Sequence, residues 1–154
     1  RMGVDRWLAM IAAFARVRGP VCVVDAGSAL TIDFVAAGGQ HLGGYIIPGL
    51  SLMEQSLSSG TARVRVGEMG KTELRPGQST EAAVGNGLYL AQAGALALAL
   101  ERYGQGSSLV FTGGGGEQLM RLLGLGGNYV DDLVLEGLAL RGRAADPDEA
   151  GVPA

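Results

Sequence analysis

The chain has 154 residues, of which 47% are hydrophobic and 18% charged, and its formal net charge is −3. This length suffices for one globular domain with a hydrophobic core. Acidic charge without a basic cluster argues against nucleic acid as a partner. We expect no signal peptide, and the longest apolar run, residues 88–100, is interrupted by Gln92 and Gly94. We therefore predict a cytoplasmic protein in which this run forms a buried helix and no segment spans a membrane.

The first third of the chain predicts a helix followed by three strands. Apolar residues at helical spacing predict a helix over residues 5–17, which Gly19 and Pro20 end. Three apolar segments follow, separated by glycine-containing turns: residues 21–25, 29–36 and 41–47. Such segments are typical of an antiparallel meander. Cys22 is the only cysteine, and its apolar neighbours predict a core position for it.

The rest of the chain alternates helices and strands. The predicted helices are residues 50–58, 79–103, 117–123 and 131–143. The predicted extended segments are residues 63–66, 108–112 and 127–130. Three antiparallel strands followed by alternating helices and strands indicate a mixed α/β layer. The charged, proline-containing tail, residues 144–154, is predicted to be disordered.

The end of the first predicted strand carries polar residues of interest. Asp25 ends the buried run and is followed by Gly27 and Ser28. A hydroxyl and turn N–H groups suit phosphate oxygens, and a cation would then have to separate Asp25 from the phosphate. The alternative is an ordinary hairpin in which Asp25 caps the turn N–H groups. On spacing alone the hairpin is favoured, because the motif is short and common.

Six segments along the chain carry a resemblance to a known family. They are GVDRW at 3–7, DAGSALTID at 25–33, HLGGYIIPGL at 41–50, STEAAVGNG at 79–87, FTGG at 111–114 and DDLVLEGL at 131–138. In this order they resemble the type III pantothenate kinases, of the acetate kinase, sugar kinase, Hsp70 and actin superfamily. The resemblance implies a ribonuclease H-like actin and sugar-kinase (ASKHA) fold. It implies ATP-dependent phosphorylation of pantothenate to 4'-phosphopantothenate, the first step of coenzyme A synthesis.

The resemblance covers only the second half of the family's sequence. Members begin with another lobe that carries its own phosphate motif, and we expect that lobe to be absent from this chain. Residues 1–143 would then form the C-terminal lobe. We expect this lobe alone to have little kinase activity, because the superfamily closes two lobes on ATP.

The resemblance also implies roles for the first residues of the chain. Asp5 would be the proton acceptor for the attacking hydroxyl, and Gly3, Val4 and Arg6 would line the pantothenate pocket with it. For Asp5 the alternative is a helix N-cap, since aspartate is among the best caps. Arg6 would either bind the substrate carboxylate or stay solvated on the helix surface.

The other implied roles concern ATP, its metal ions and the substrate. Asp25 would bind a monovalent cation, potassium or ammonium, and ATP would be bound with Mg²⁺. Ser28, where the family usually has threonine, would contact ATP together with Gly27. Thr80 would contact the substrate; its alternative is an ordinary helix cap, and Ser79 is the other candidate for that cap.

Several glycines and the single histidine have less certain meanings in the sequence. Gly43 and Gly44 lie inside a predicted strand, which indicates either close backbone or ligand approach or a bulge. The run Gly113–Gly116 lies between a strand and a helix and would suit adenosine or phosphate. The residue types around His41 assign it no role.

Two alternatives to a kinase remain open in the sequence. One is a regulatory accessory factor of the same fold, and the other is a domain that dimerises without catalysing. The presence of Asp5, Arg6, Asp25 and Thr80 favours the enzyme. The helix from Thr80 to about Tyr103 is apolar over much of its surface, which predicts a homodimer packed partly through it.

Overall fold

The computed structural model describes residues 2–60 and 73–144. The helices are α1 Val4–Val17, α2 Leu50–Gly60, α3 Thr80–Tyr103, α4 Gly116–Leu122 and α5 Leu133–Ala144. The strands are β1 Val21–Ala26, β2 Ala29–Val35, β3 His41–Pro48, β4 Ser108–Thr112 and β5 Asn128–Tyr129. Within the described residues every predicted element is present, with bounds that differ by at most two residues. The strand predicted at residues 63–66 and the tail beyond residue 144 lie outside the described residues.

The five strands form one mixed sheet in the order β3-β2-β1-β4-β5. β1, β2 and β3 pair antiparallel, whereas β4 runs parallel to β1 and β5 parallel to β4. The predicted mixed α/β layer is therefore confirmed. Because β1 and β4 are parallel neighbours, their carboxyl ends meet at one edge of the sheet, where Asp25 pairs with Thr112.

Both faces of the sheet are covered by helices. α3 and α4 cover one face, onto which Cys22, Val24 and Ile32 project. α1 and α5 cover the other face, where Val21 and Val23 lie. This double cover explains why β1 is a continuous apolar run rather than an alternating one. Cys22 is a core residue as predicted, and burial raises the pKa of its thiol to about 12.

Helix α1 begins one residue earlier than predicted. Gly3 is its N-cap residue and makes no side-chain cap bond, so Asp5 lies in the first helical turn and not at the cap. The N-cap alternative for Asp5 is therefore wrong. The helix ends at Arg18, a left-handed residue with φ 53° whose N–H donates to the carbonyl of Phe14. α1 crosses α5 closely, because a Cβ added at Gly137 would overlap the carbonyl oxygen of Leu8.

Helix α3 begins after Ser79, whose hydroxyl accepts a hydrogen bond from the N–H of Ala82 at 3.2 Å. Ser79, and not Thr80, is thus the helix cap. The buried stripe of α3 consists of Leu88, Tyr89, Gln92, Ala93, Leu96 and Ala99. Within the described residues α3 is the one helix long and apolar enough to cross a membrane, a weak indication that core helices of soluble proteins share.

Candidate active site

Asp25 lies half-buried at the carboxyl end of β1, and the alternation of the strand places it on the face that α1 covers. Burial raises the pKa of Asp25, and the negative charge of Asp5 raises it further. None of the ion pairs among the described residues includes Asp25. The strand end therefore holds a carboxylate whose charged form is destabilised by its surroundings, and a bound cation would relieve that cost.

Two glycines pack tightly against the end of β1 and the turn that follows it. Gly113 has a φ of +79°, and a Cβ added there would lie 2.5 Å from Oδ1 of Asp25 and 2.8 Å from the carbonyl oxygen of Ala26. A Cβ added at Gly49 would overlap the carbonyl oxygens of Ser28 and Gly27. The absence of side chains at these two glycines lets their backbone approach Asp25 and the turn after β1 this closely.

Gly27 is less constrained than the sequence suggests. Its φ is not positive, and a Cβ added there would make an ordinary 3.5 Å contact with Oδ1 of Asp25. Its N–H donates to the carbonyl of Ala29 at 3.0 Å, so Asp25 does not cap this N–H as the hairpin alternative requires. Gly27 and Ser28 are both exposed in this turn. Of the glycines near Asp25, the strongest geometric demands fall on Gly49 and Gly113.

The loop after β4 is held against the end of β1. The N–H of Gly115 donates to the carbonyl of Ala26 at 2.9 Å, and the N–H of Gly116 donates to the carbonyl of Gly113 at 3.0 Å. The hydroxyl of Tyr129 also donates to the carbonyl of Gly113, at 3.2 Å. The glycine run that the sequence singled out therefore forms one wall of the edge at Asp25.

The first turn of α1 brings Asp5 towards the same edge. Gly3, Val4 and Asp5 are exposed, and the charge of Asp5 raises the pKa of Asp25. The positive end of the helix dipole stabilises a carboxylate in the first turn. Two carboxylates thus stand near each other: Asp5 at a helix start, and Asp25 at a strand end.

Arg6 points to a different partner. Its Nε donates to Oδ2 of Asp33 at 2.9 Å, and its Nη2 donates to Oδ1 at 2.5 Å. The side chain of Asp33 is only 2% exposed and that of Arg6 19%. Hydrogen bonding to Asp33 raises the pKa of Arg6, so the pair is a charge-assisted fork. The solvated alternative for Arg6 is therefore wrong.

His41, to which the sequence assigned no role, is the second partner of Asp33. Its Nε2 lies 2.8 Å from Oδ1 of Asp33. A register shift in β3 makes this possible, because Phe34 pairs with Gly43 and Val35 with His41, which leaves Leu42 unpaired. The alternation of β2 places Asp33 on the face opposite to Leu30, Ile32 and Phe34, and only the packing of α1 on that face buries it.

The two glycines of β3 serve this arrangement separately. Gly43 has a φ of +125° at the register shift, a conformation that side chains rarely adopt. A Cβ added at Gly44 would overlap Oδ1 of Asp33 and the carbonyl oxygen of Ile32. The two predicted alternatives are therefore both confirmed, with a bulge at Gly43 and a close approach at Gly44.

The family model for type III pantothenate kinases matches residues 1–102. The chain belongs to this family. It is 44% identical over 139 residues to the type III pantothenate kinase of Marinobacter nauticus, across 90% of this chain and 57% of that protein. It is 42% identical over 144 residues to that of Hahella chejuensis, across 90% of this chain and 58% of that protein. The chain thus spans less than two thirds of the length of these relatives.

Two solved structures share the fold of this chain. A conserved protein of the Baf family of transcriptional activators from Campylobacter jejuni has a TM-score of 0.69 at 27% identity, over 93% of this chain and 64% of that one. The activator of the 2-hydroxyisocaproyl-CoA dehydratase from Clostridium difficile, with bound ADPNP, has a TM-score of 0.56 at 11% identity and shows the fold alone. The fold is the actin-like ASKHA class that the sequence predicts.

One residue that the kinase resemblance singles out lies apart from the others. Thr80 is exposed at the first position of α3, and α3 covers the face of the sheet opposite to α1. Because Ser79 provides the cap, the hydroxyl of Thr80 is not needed for that purpose. The structure therefore links Asp5 with Asp25 through charge and Arg6 with Asp33 through hydrogen bonds, and it adds Thr80 to neither pair.

A groove of about 440 Å³ runs along α1 beside this region. Apolar side chains of α1 between Trp7 and Ala15 form one wall, and Val35 lies on the other side. His41 brings an ionisable side chain to the described lining. His41 therefore connects the fork of Arg6 and Asp33 with an apolar surface beside α1.

Proposed function

We propose that the protein containing this chain is a pantothenate kinase, which transfers the γ-phosphoryl group of ATP to pantothenate and forms 4'-phosphopantothenate. The observation that carries the proposal is the nearness of Asp5 and Asp25 at a glycine-lined strand end, in a chain of this family. One carboxylate serves the attacking hydroxyl and the other serves a cation beside the phosphates. Phosphoryl transfer needs such positioning and charge balance more than covalent chemistry.

Asp5 accepts the proton of the attacking hydroxyl in this proposal. It is exposed in the first turn of α1 and is not used as a cap, so its carboxylate is free to meet a substrate. Gly3, Val4 and Arg6 line the pantothenate pocket around it. Thr80 contacts the substrate as well, and its hydroxyl is not occupied by capping α3.

Gly27 and Ser28 contact ATP, which binds with Mg²⁺, and Asp25 holds the monovalent cation, potassium or ammonium. The residue types fit a hard cation, because the carboxylate of Asp25, the hydroxyl of Ser28 and the carbonyl oxygens of this turn are all oxygen ligands. Among the described residues no group of three or more His, Cys, Asp or Glu side chains is placed to hold a metal ion, so the proposed cation would depend on Asp25 together with hydroxyl and carbonyl oxygens. The cation supplies positive charge between Asp25 and the phosphates.

A coupled assay of ADP release tests this function. The protein containing this chain, with ATP and Mg²⁺, should release ADP only when pantothenate is present, and faster in potassium than in sodium buffer. The 154-residue chain by itself should show little turnover. Absence of pantothenate-dependent ADP release by the longer protein would refute the proposed function, and robust turnover by the short chain would refute the need for a second lobe.

A homodimer is part of the proposal. α3 buries one stripe against the sheet, while Leu90 and Leu98 on its other side are 55% and 49% exposed. A second copy would cover this apolar face, and small residues such as Gly94 allow close helix approach. Sedimentation at tens of micromolar should give a dimer, and the substitution Leu98→Glu should dissociate it. We further propose that the protein is cytoplasmic and binds neither membrane nor nucleic acid.

A second candidate is a regulatory protein without kinase activity. The likeness to the Campylobacter jejuni protein, described as a member of a family of transcriptional activators, favours it. The net charge of −3 and the presence of Asp5 and Asp25 count against it. Gel-shift experiments with genomic DNA fragments separate the two candidates, because a kinase of this charge should not retard DNA at physiological salt.

A further inference from the structure

We propose that Asp33 is a positioning residue of the substrate site, which fixes the guanidinium of Arg6 in one orientation for an anionic substrate. This inference rests on the proposed function, because it takes the pantothenate carboxylate as the group that Arg6 meets. Neither the resemblance nor the comparisons assign a role to Asp33. The arrangement of the fork, of the strand beneath it and of its second partner carries the inference.

The fork leaves Arg6 only partly used. Two of the five N–H donors of an arginine bind Asp33, through Nε and Nη2, and three donors remain. The side chain of Arg6 is 19% exposed, so part of it stays accessible to a ligand. A guanidinium already held in one orientation loses less entropy when it binds a carboxylate.

Asp33 itself is held from three sides. It lies in β2 between Val23 of β1 and Gly44 of β3, at a position where the side chain is 2% exposed. Its Oδ1 contacts both Arg6 and His41, and the missing side chain of Gly44 makes room for that oxygen. These contacts fix the position of the Asp33 carboxylate, and its two hydrogen bonds then fix the orientation of the Arg6 guanidinium.

The charges of this cluster indicate that Arg6 recognises a substrate carboxylate mainly through the orientation of its N–H groups. Asp33 neutralises the charge of Arg6, so a substrate carboxylate gains from the direction of the remaining N–H groups more than from net positive charge. Loss of Asp33 would leave Arg6 charged but mobile. We therefore expect the affinity for pantothenate to fall while the binding of ATP and the chemical step change little.

The test measures the kinetic constants of Asp33→Asn in the protein containing this chain. The KM for pantothenate should rise about tenfold to a hundredfold, with kcat and the KM for ATP nearly unchanged. The preference for pantothenate over pantothenol, which has a hydroxyl instead of the carboxylate, should fall in parallel. A merely structural role would lower the active fraction, and hence kcat, without changing either KM.

Glu136→Gln is the matched control, because Glu136 forms a fork of the same kind with Arg16 at the other end of α1. It should leave both KM values unchanged. Arg6→Lys and the double variant Arg6→Lys/Asp33→Asn complete the cycle. If Asp33 acts through Arg6, the double variant should have the KM of Arg6→Lys alone, and additive effects would overturn the inference.

The outcomes separate this inference from the proposed function. A wild-type protein that does not phosphorylate pantothenate overturns both. A wild-type protein that does, together with an Asp33→Asn variant of unchanged KM and preference, overturns the inference alone. If circular dichroism shows Asp33→Asn to be unfolded, Asp33→Glu replaces it, since it keeps the negative charge but displaces the carboxylate that orients Arg6. An unchanged KM for pantothenate and an unchanged preference in that variant also overturn the inference.

Discussion

The two ends of helix α1 carry ion pairs of the same geometry in opposite surroundings. At the start of α1, Arg6 donates two hydrogen bonds to Asp33, with N–O distances of 2.9 and 2.5 Å. At the end of α1, Arg16 donates two hydrogen bonds to Glu136, with N–O distances of 2.7 and 2.5 Å. Asp33 is 2% exposed, whereas Arg16 and Glu136 are 51% and 36% exposed. Distances alone therefore do not rank the two pairs, and burial does.

The two ion pairs should differ in their contribution to stability, because a buried charge has lost its hydration and an exposed charge has not. Removing one partner of a buried pair leaves the other uncompensated and costs about 3–5 kcal/mol, whereas an exposed pair contributes about 0–1 kcal/mol. The start of α1 also presents Asp5 to Asp25, and the charge of Asp5 raises the pKa of Asp25. Substitutions at the start of α1 should therefore cost much stability, and the charges there shift a pKa, as is common at functional sites. The end of α1 carries a solvent-exposed ion pair that contributes little.

The largest expected effect is on catalysis at the start of the helix. Asp5→Asn in the protein containing this chain should lower kcat by roughly 10²–10⁴, because the amide does not accept the hydroxyl proton. Thermal stability should stay nearly the same, since Asp5 caps nothing. Steady-state kinetics and thermal melts measure both quantities, with Glu136→Gln as the control at the other end. An unchanged kcat would remove Asp5 from the reaction.

The second effect contrasts the two ion pairs directly. Asp33→Ala should lower the free energy of unfolding by about 3–5 kcal/mol, because Arg6 and His41 lose their shared partner, and Glu136→Ala should lower it by about 0–1 kcal/mol. Urea denaturation of the two variants gives the comparison. Equal losses in the two variants would mean that burial does not distinguish the ends of α1.

The third effect concerns Asp25, where a substitution should raise the stability of the fold and not lower it. Its pKa is raised in the folded state, so the folded protein loses stability as pH rises from the unfolded pKa through the folded one. Asp25→Asn should remove that loss and stabilise the protein at neutral pH by about 0.5–2 kcal/mol, while activity falls. Potassium should raise the melting temperature of the wild type and not of the variant. A potassium response that survives in Asp25→Asn would place the cation elsewhere.

The smallest effect is expected at the end of the helix. Arg18 has a φ of 53°, and this left-handed backbone strains a residue with a side chain by about 1–2 kcal/mol. Glycine avoids that strain, but it loses about 0.5–1 kcal/mol more conformational entropy on folding. Arg18→Gly should therefore stabilise the protein by about 0.5–1 kcal/mol without changing kcat. Chemical denaturation with an activity measurement tests this. A loss of stability would show that the arginine side chain contributes more than its backbone costs.

Local patterns in the sequence determined the elements of this protein. Helical and strand periodicity, with glycine and proline between the segments, gave the described elements to within two residues. The apolar run that ends at Asp25 predicted a carboxylate at a strand end, and the ordered motifs predicted the family. These features depend on neighbours in sequence, so short windows of residues carry them.

Only the tertiary structure decided which polar groups meet. Arg6 and Asp33 are 27 residues apart, and Arg16 and Glu136 are 120 apart. The contact of His41 with Asp33 depends on a register shift in β3, and the effect of the Asp5 charge on the pKa of Asp25 depends on how α1 lies on the sheet. Strand register and helix packing are fixed by the burial of whole faces. No short segment of sequence contains that information.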